Sequence, residues 1–444
     1  MTVRTGGSLS EDWWALILGL AIIAAAVGAC FAGFDLNGLI SAPAVWDGLS
    51  DGWGQAIHDL LRYAGLGLVL LVCLTAAAAN IGHRPSRFAA SFAVVYVLSI
   101  LILFASAWRN SRQLYVETPL IALVLGLILG NIAKLPAWLE TGLRAEFYLK
   151  IGVVLLGASL PLPIIMQAGP VALAQASIGS VVTFAVIYAT ARFLKLERRL
   201  SALLAGGGSI CGISAIVAIA GAVRAKREDI SVATTMVVGW ALGMIVVLPL
   251  LAWAWWLPSG VGGAWIGTSE YADAAGYAAA QTFGRIAISG APEQSLQAYT
   301  LVKIIGRDMW IGVWAAGLSL VSLLRWEPSE TRHGADLSQI WTRFPKFILG
   351  FFLASAAITI ASKWFPGGNF GALRPGLLAP VEAMRNWLFT FSFLSIGTSL
   401  RIRTLAPVTG NAFVAFSAGV AVNLILGYVL SAVVFGSYWT AIGR

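Results

Sequence analysis

Leu203–Val223 reads LLAGGGSICGISAIVAIAGAV. The stretch is long and apolar enough to enter a bilayer. Gly206, Gly207 and Gly208 nevertheless make a poor helix interior. Ser209, Cys211, Gly212 and Ser214 then bring polar atoms and a flexible backbone to membrane depth. Irregular backbone survives there only where protein or a wet cavity covers it. Broken helices near the midplane are a recurrent way to build transport sites, because half-helix N-termini attract anions. The competing reading is a packing face whose small residues let two helices approach closely.

The chain around this stretch is that of a membrane protein. Of its 444 residues 59% are hydrophobic and 11% charged, where soluble domains carry about 25% charged residues. Mean hydropathy is +0.83. About thirteen apolar segments lie between residues 13 and 436, and many of the tryptophans fall near their ends, as interfacial belts do. The net charge of +9 comes from short loops between apolar runs, not from a basic domain that would grip nucleic acid. Cys30, Cys73 and Cys211 are odd in number and lie in apolar runs, which argues against a disulfide framework. His58, His83 and His333 fall in polar loops without metal-ligand spacing, so neither a metal site nor a cofactor is expected. With no histidine in an apolar run to activate Cys211, an enzyme is not expected either.

Loop charge sets the expected topology. The loop from Asp35 to Asp59 lacks Lys and Arg and belongs outside. Loops with Arg84 and Arg87, with Arg192–Arg199, with Arg325–Lys346 and with Arg401–Arg403 belong inside. The N-terminus is then cytoplasmic and the C-terminus outside. Arg224, Lys226 and Arg227 follow the glycine-rich segment directly after another basic loop. Two successive basic loops want one side, so 201–224 either returns as a re-entrant hairpin or crosses against the charge rule. Pro258–Glu270 reads as an outside loop. A second hairpin at 271–290 would keep the parity. LLGASL (Leu155–Leu160) and SIGTSL (Ser395–Leu400) form a weak echo of opposite orientation, as an inverted repeat would give.

Charges inside apolar segments are functional candidates by default. Lys303 and Arg307 are four apart and share a helix face, so an anion or a carboxylate between them would relieve their repulsion. The alternative is snorkelling to the interface. Asp308 points elsewhere. Glu270 and Asp273 read either as proton or charge carriers or as a wet loop with Ser269 or Asp273 capping a helix. Asn131, Asn386, Ser395, Thr398, Ser399 and Asn423 read as interhelical hydrogen bonds or cavity lining.

SICGISAI (Ser209–Ile216) ahead of a KRED patch resembles the YeiH-type sulfate exporter family. TLVKIIGR (Thr300–Arg307), TPLIALVLGLILGN (Thr118–Asn131) and KIGVVLLGASLPL (Lys150–Leu162) are similar to other parts of it. The resemblance covers about 117–430. It implies kinship with sodium/proton antiporters and bile-acid symporters: two inverted five-helix repeats, with 201–224 crossing the membrane. The chain departs from that family in three ways. Thr268, Ser269, Glu270, Tyr271 stand where a histidine motif is expected. One residue is inserted between Lys303 and Arg307. The first 110 residues lie outside the resemblance.

Together these readings give an all-α polytopic protein with an inverted-repeat transporter fold and broken or re-entrant helices. Residues 1–116 are an N-terminal extension of about three spans, 117–436 the transporter core and 437–444 a tail. The expected function is secondary transport of a small anion, such as a sulfate or sulfonate, across the inner membrane by alternating access. A passive channel, a membrane-embedded enzyme and a lipid-binding protein are the alternatives. Gly206, Gly207, Gly208, Ser209, Cys211, Gly212, Ser214, Lys303, Arg307 and Ser399 are the expected substrate residues. Glu270 and Asp273 are the expected coupling residues, with a proton or sodium ion. The bilayer is a partner, nucleic acid is not, and homo-oligomerisation stays open.

Overall fold

A computed structural model describes residues 9–442, apart from 35, 39, 41, 42, 110, 112–117, 133, 134, 327–344, 365–372 and 400–409. His333 and the loop residues Arg112, Arg332, Arg343, Arg401 and Arg403 lie outside the described residues. The helices are α1 Glu11–Phe31, α2 Leu49–His58, α3 Leu60–Ile81, α4 Pro85–Ala107, α5 Thr118–Ile132, α6 Ala145–Gly157 and α7 Leu162–Phe193. They continue with α8 Arg198–Ser209, α9 Ile213–Val223, α10 Arg227–Ala254, α11 Ser259–Ser269, α12 Asp273–Ile286 and α13 Pro292–Tyr299. The last are α14 Trp310–Val321, α15 Lys346–Trp364, α16 Ala379–Ser399, α17 Gly410–Tyr428 and α18 Gly436–Ala441. No strand occurs among the described residues.

Eight helices there are long and apolar enough to cross a membrane. Their outer faces stay apolar: Leu68 and Val72 of α3, and Val97 and Leu101 of α4, are all exposed. A surface of that kind is stable against lipid tails and not against water. The protein is an all-α, multi-pass membrane protein.

The chain divides into two units, 1–162 with 346–401, and 163–345 with 402–444. In the first, α16 packs against α5 and α6, while α1 and α15 cover α6. Tyr96, Trp387 and Phe391 form part of an aromatic cluster, with Tyr96 and Trp387 stacked at 5.1 Å. One end of this unit carries an ion-pair network. Arg144 pairs with Glu11 and donates a hydrogen bond to His83 Nε2, and Lys150 lies 2.8 Å from Asp12.

The second unit holds two helical hairpins. Arms α8 and α9 run antiparallel: Gly206 faces Ile219, and a Cβ on Gly207 would lie 2.9 Å from Ile216. Their open ends meet, with Arg199 donating to the Arg224 carbonyl at 3.2 Å and Lys226 lying 3.4 Å from Glu197. Twelve and eleven residues make arms of about 17 Å, roughly half the hydrocarbon thickness. The segment 201–224 therefore doubles back. The charge argument for a hairpin holds, and the crossing implied by the family resemblance does not.

The second hairpin is α11 with α12. Gly262 faces Phe283, and Ser259 N–H donates to the Ser289 carbonyl at 2.8 Å. This corrects two expectations. Pro258–Glu270 is not an outside loop but a buried helix from Ser259, and 271–290 is only the returning arm. The run SGVGGAWIG is too short for a spanning segment, yet its small residues let α13 lie directly alongside. Gly263 faces Ser295, and a Cβ on Gly267 would lie 3.1 Å from the Tyr299 carbonyl.

Helix α10, 28 residues and about 42 Å long, carries the chain from the open end of the first hairpin to that of the second. The hairpins thus enter from opposite ends and meet at their tips. Lys195, Arg198, Arg199, Arg224, Lys226 and Arg227 gather at the first open end; Trp255 and Trp256 lie at the other. The residues after 436 turn back as α18 and bury Trp439 completely.

Candidate functional site

The helix break falls at Ile210–Gly212, not at the glycine triplet. Gly206, Gly207 and Gly208 are helical and buried in α8, packed against Ile219, Ile216 and Ile187. All three therefore serve close helix packing. A side chain there would wedge the arms apart. Gly212 makes the turn itself, with φ +78° and ψ −116°, and a Cβ on it would lie 2.7 Å from the Tyr271 carbonyl in the other tip. The second break, Glu270–Ala272, is therefore in contact with the first.

Two opposed breaks leave four half-helix ends in an apolar interior. The C-terminal ends of α8 and α11 present carbonyls with no helical partner and a partial negative charge. Lys303 and Arg307 meet them. Lys303 Nζ donates to the Ile210 carbonyl at 2.7 Å and the Glu270 carbonyl at 3.0 Å. Arg307 Nε donates to Ser209 O at 3.3 Å and Nη2 to Gly208 O at 3.3 Å. Its Nη1 donates to Thr268 O at 2.5 Å, Glu270 O at 2.8 Å and Gly267 O at 3.4 Å. Both side chains are buried, 0% and 1% exposed, so neither snorkels.

The N-terminal ends of α9 and α12 are the positive ones. Asp273 is the first residue of α12, and Glu270 folds over the same end, its Oε1 accepting from Tyr271 N–H at 3.0 Å and Ala272 N–H at 3.3 Å. Glu270 thus holds the two main-chain N–H groups just ahead of α12, whose N-cap, Ala272, carries no side-chain cap. Asp273 Oδ1 lies 3.6 Å from Lys303 Nζ. Carboxyls at the N-terminus of α12 and cations at the C-terminal ends of α8 and α11 follow the dipole rule.

Asp308 was expected to point away, yet it is fully buried here. Cys211, Asp273 and Asp308 each place one ligand atom within 4.8 Å of the others. The Lys303 ammonium beside Asp273 already supplies positive charge to this cluster. The winding explains the placement. Thr300–Arg307 is π-helical, the way a helix takes up one extra residue.

A polar scaffold surrounds the tips. Asn423 of α17 donates to the Thr268 carbonyl at 3.1 Å, the interhelical bond expected of it. Tyr299 Oη donates to the Asp273 carbonyl at 2.5 Å. Gln175 of α7 donates to Thr268 Oγ1 at 2.8 Å and Ser431 Oγ at 2.7 Å, and accepts from Trp439 Nε1 at 2.8 Å. Gln175, Tyr299 and Trp439 gave no sign in the sequence beyond being polar or aromatic in apolar runs. Of the remaining candidates, Ser209 turns its hydroxyl to Gly206 O at 3.5 Å, and Ser214 is half-buried at the start of α9. Ser399 belongs to the first unit, where its hydroxyl donates to Ile396 O at 2.8 Å within its own helix.

Comparison with known proteins agrees with a membrane protein of this kind. The chain is 28% identical over 413 residues to a UPF0324 membrane protein of Rhodopirellula baltica, covering 90% of this chain and 72% of that one. It is 29% identical over 441 residues to one of Nitrosomonas europaea, covering 88% and 89%. A third, of Nitratidesulfovibrio vulgaris, is 30% identical over 367 residues; there the match covers 80% of this chain but 60% of the relative's length. No solved structure matches. The family match spans residues 67–415 and so takes in most of α3 and all of α4, further toward the N-terminus than the resemblance read from about residue 117. Apolar spans of ordinary composition carry too little motif to be recognised by eye. By that match the chain belongs to the conserved hypothetical protein 698 family.

Proposed function

We propose that the protein is a secondary transporter that carries a small anion across the cytoplasmic membrane by alternating access, coupled to a proton or sodium ion. The observation that carries this reading is the tip-to-tip junction: two half-span hairpins meeting over five buried ionisable groups. Ionisable groups are retained at membrane depth where they serve a pathway or a relay. The N-terminal end of α9, with Gly212 and Ser214, is the natural anion position, since main-chain N–H groups and the helix dipole face it. Opposed hairpins and the LLGASL and SIGTSL echo, which closes α6 and α16, support an inverted repeat. The basic open end of the first hairpin is the cytoplasmic side by the positive-inside rule, and the C-terminus is then outside.

Coupling follows from the charge set. Lys303 and Arg307 face Glu270, Asp273 and Asp308, so the fully ionised junction is one negative charge in excess. An anion enters such a place favourably only with a cation or after a carboxyl takes a proton. The test is thermal stability of purified protein against sulfate, sulfite, taurine, carboxylates and bicarbonate, each with and without sodium and at two pH values. A bound ligand at one hundred times its Kd stabilises by about 2.7 kcal/mol. The reading expects one anion class to raise the melting temperature, more so with sodium or at lower pH, and Asp308→Asn to remove that dependence. The same charge excess favours a second reading, a cation as cargo. Stabilisation by sodium or acid alone, with no anion effective, would establish it.

A further inference from the structure

We infer that Arg307 is a positioning residue that ties the two hairpin tips into one body, with Lys303 as a second tie, whatever the protein carries. Each hairpin turns inside the protein and leaves main-chain carbonyls at its tip that the helix cannot satisfy. In water such groups would be hydrated; at membrane depth they need a protein donor. Arg307 answers both hairpins at once. Its Nε and Nη2 hold Ser209 and Gly208 of the first, and its Nη1 holds Thr268, Glu270 and Gly267 of the second. Lys303 bridges in the same way, from Ile210 to Glu270. Every nitrogen of the guanidinium is spent on main chain. Parting the tips would strip carbonyls on both sides from one buried cation. The planar fork explains why an arginine stands here, since an ammonium reaches in fewer fixed directions. Access to the junction therefore changes along the flanks of the paired hairpins, and the tips stay closed on each other.

Cys211, 4% exposed in the first tip, reports on this directly. The experiment follows alkylation of Cys211 by N-ethylmaleimide in membrane vesicles, in a Cys30→Ser, Cys73→Ser background. With Arg307 present, Cys211 reacts slowly. Arg307→Gln raises the rate by about tenfold or more, and Arg307→Lys, which keeps the charge but not the fork, leaves it raised. Gln175→Ala is the control: it removes an equally buried polar hub that touches only the second hairpin, and should change the rate by less than about twofold. An unchanged rate in Arg307→Gln, or an equal rise in Gln175→Ala, overturns the inference. Should Arg307→Gln fail to insert, Arg307→Lys decides alone: a raised rate supports the tie and an unchanged rate refutes it.

Discussion

Gly212 shows how much one residue decides. Its φ of +78° with ψ −116° is a region open to glycine and strained for any L side chain. A Cβ would also meet the Tyr271 carbonyl at 2.7 Å, and a main-chain oxygen cannot swing away. Gly212→Ala is expected to destabilise by about 3 kcal/mol through strain and overpacking together. Gly243, in the middle of α10 with nothing within 4 Å, is the contrast. Gly243→Ala should stabilise by up to about 1 kcal/mol from helix propensity. Melting temperatures of the two variants in the same detergent check both signs. His83 makes a second residue-scale prediction, outside the spans. Burial and then the Arg144 guanidinium lower its pKa, while Glu11 opposes them. The neutral ring accepts from Arg144 through Nε2. Because the folded pKa is below the unfolded one, this stability is present above about pH 6.5 and is lost as pH falls through that value to the lower folded pKa. His83→Gln, which cannot take the charge, should flatten that acid loss; a melting series from neutral to acid pH measures it.

The two hairpins are the elements on which the reading of the sequence is best judged. The first was legible because charge is legible: Arg198 and Arg199 before it and Arg224, Lys226 and Arg227 after it put both ends on one side. The second was half-legible. Its returning arm lies within the hairpin expected at 271–290, but its entering arm, GVGGAWIG, reads as part of an outside loop. Glycine there signals close approach to α13, a property of the partner helix that no local pattern displays. The site showed the same division. Lys303, Arg307, Glu270 and Asp273 stood out as charges in apolar runs. Asp308 was missed because α-helical spacing puts it off their face, and the π-helical winding puts it back. The hairpins predict a labelling pattern. Single cysteines at Lys195 and Ala225 should react with an impermeant maleimide from one side of the membrane, and those at the exposed Trp256 and Ser289 only from the other. Reactivity of Lys195→Cys and Ala225→Cys from opposite sides would mean that 198–223 crosses.

At the scale of the whole molecule, the end of the chain proves to be part of the machinery it follows. The second hairpin would have an unsupported base without α18. Trp439 is fully buried, and its indole N–H supplies Gln175 Oε1, whose amide in turn supplies Thr268 in the hairpin. Gln294 at the start of α13 donates to the Ile442 carbonyl at 2.6 Å, so the last turn is held from two helices. Gly260, in the first turn of α11, faces the Trp439 main chain. A short terminal segment with these contacts braces the outer end of the hairpin. Trp439→Ala removes a large apolar volume and leaves Gln175 Oε1 without its donor. It should therefore destabilise by about 3–5 kcal/mol, near the upper range for a buried aromatic. Trp439→Phe keeps much of the volume and loses only the donor, so its deficit should be smaller, about 1–3 kcal/mol. Thermal unfolding of the two variants separates the packing share from the hydrogen-bond share. Equal losses would place the whole effect on the Gln175 network, and no loss in either would mean that α18 does not brace the hairpin.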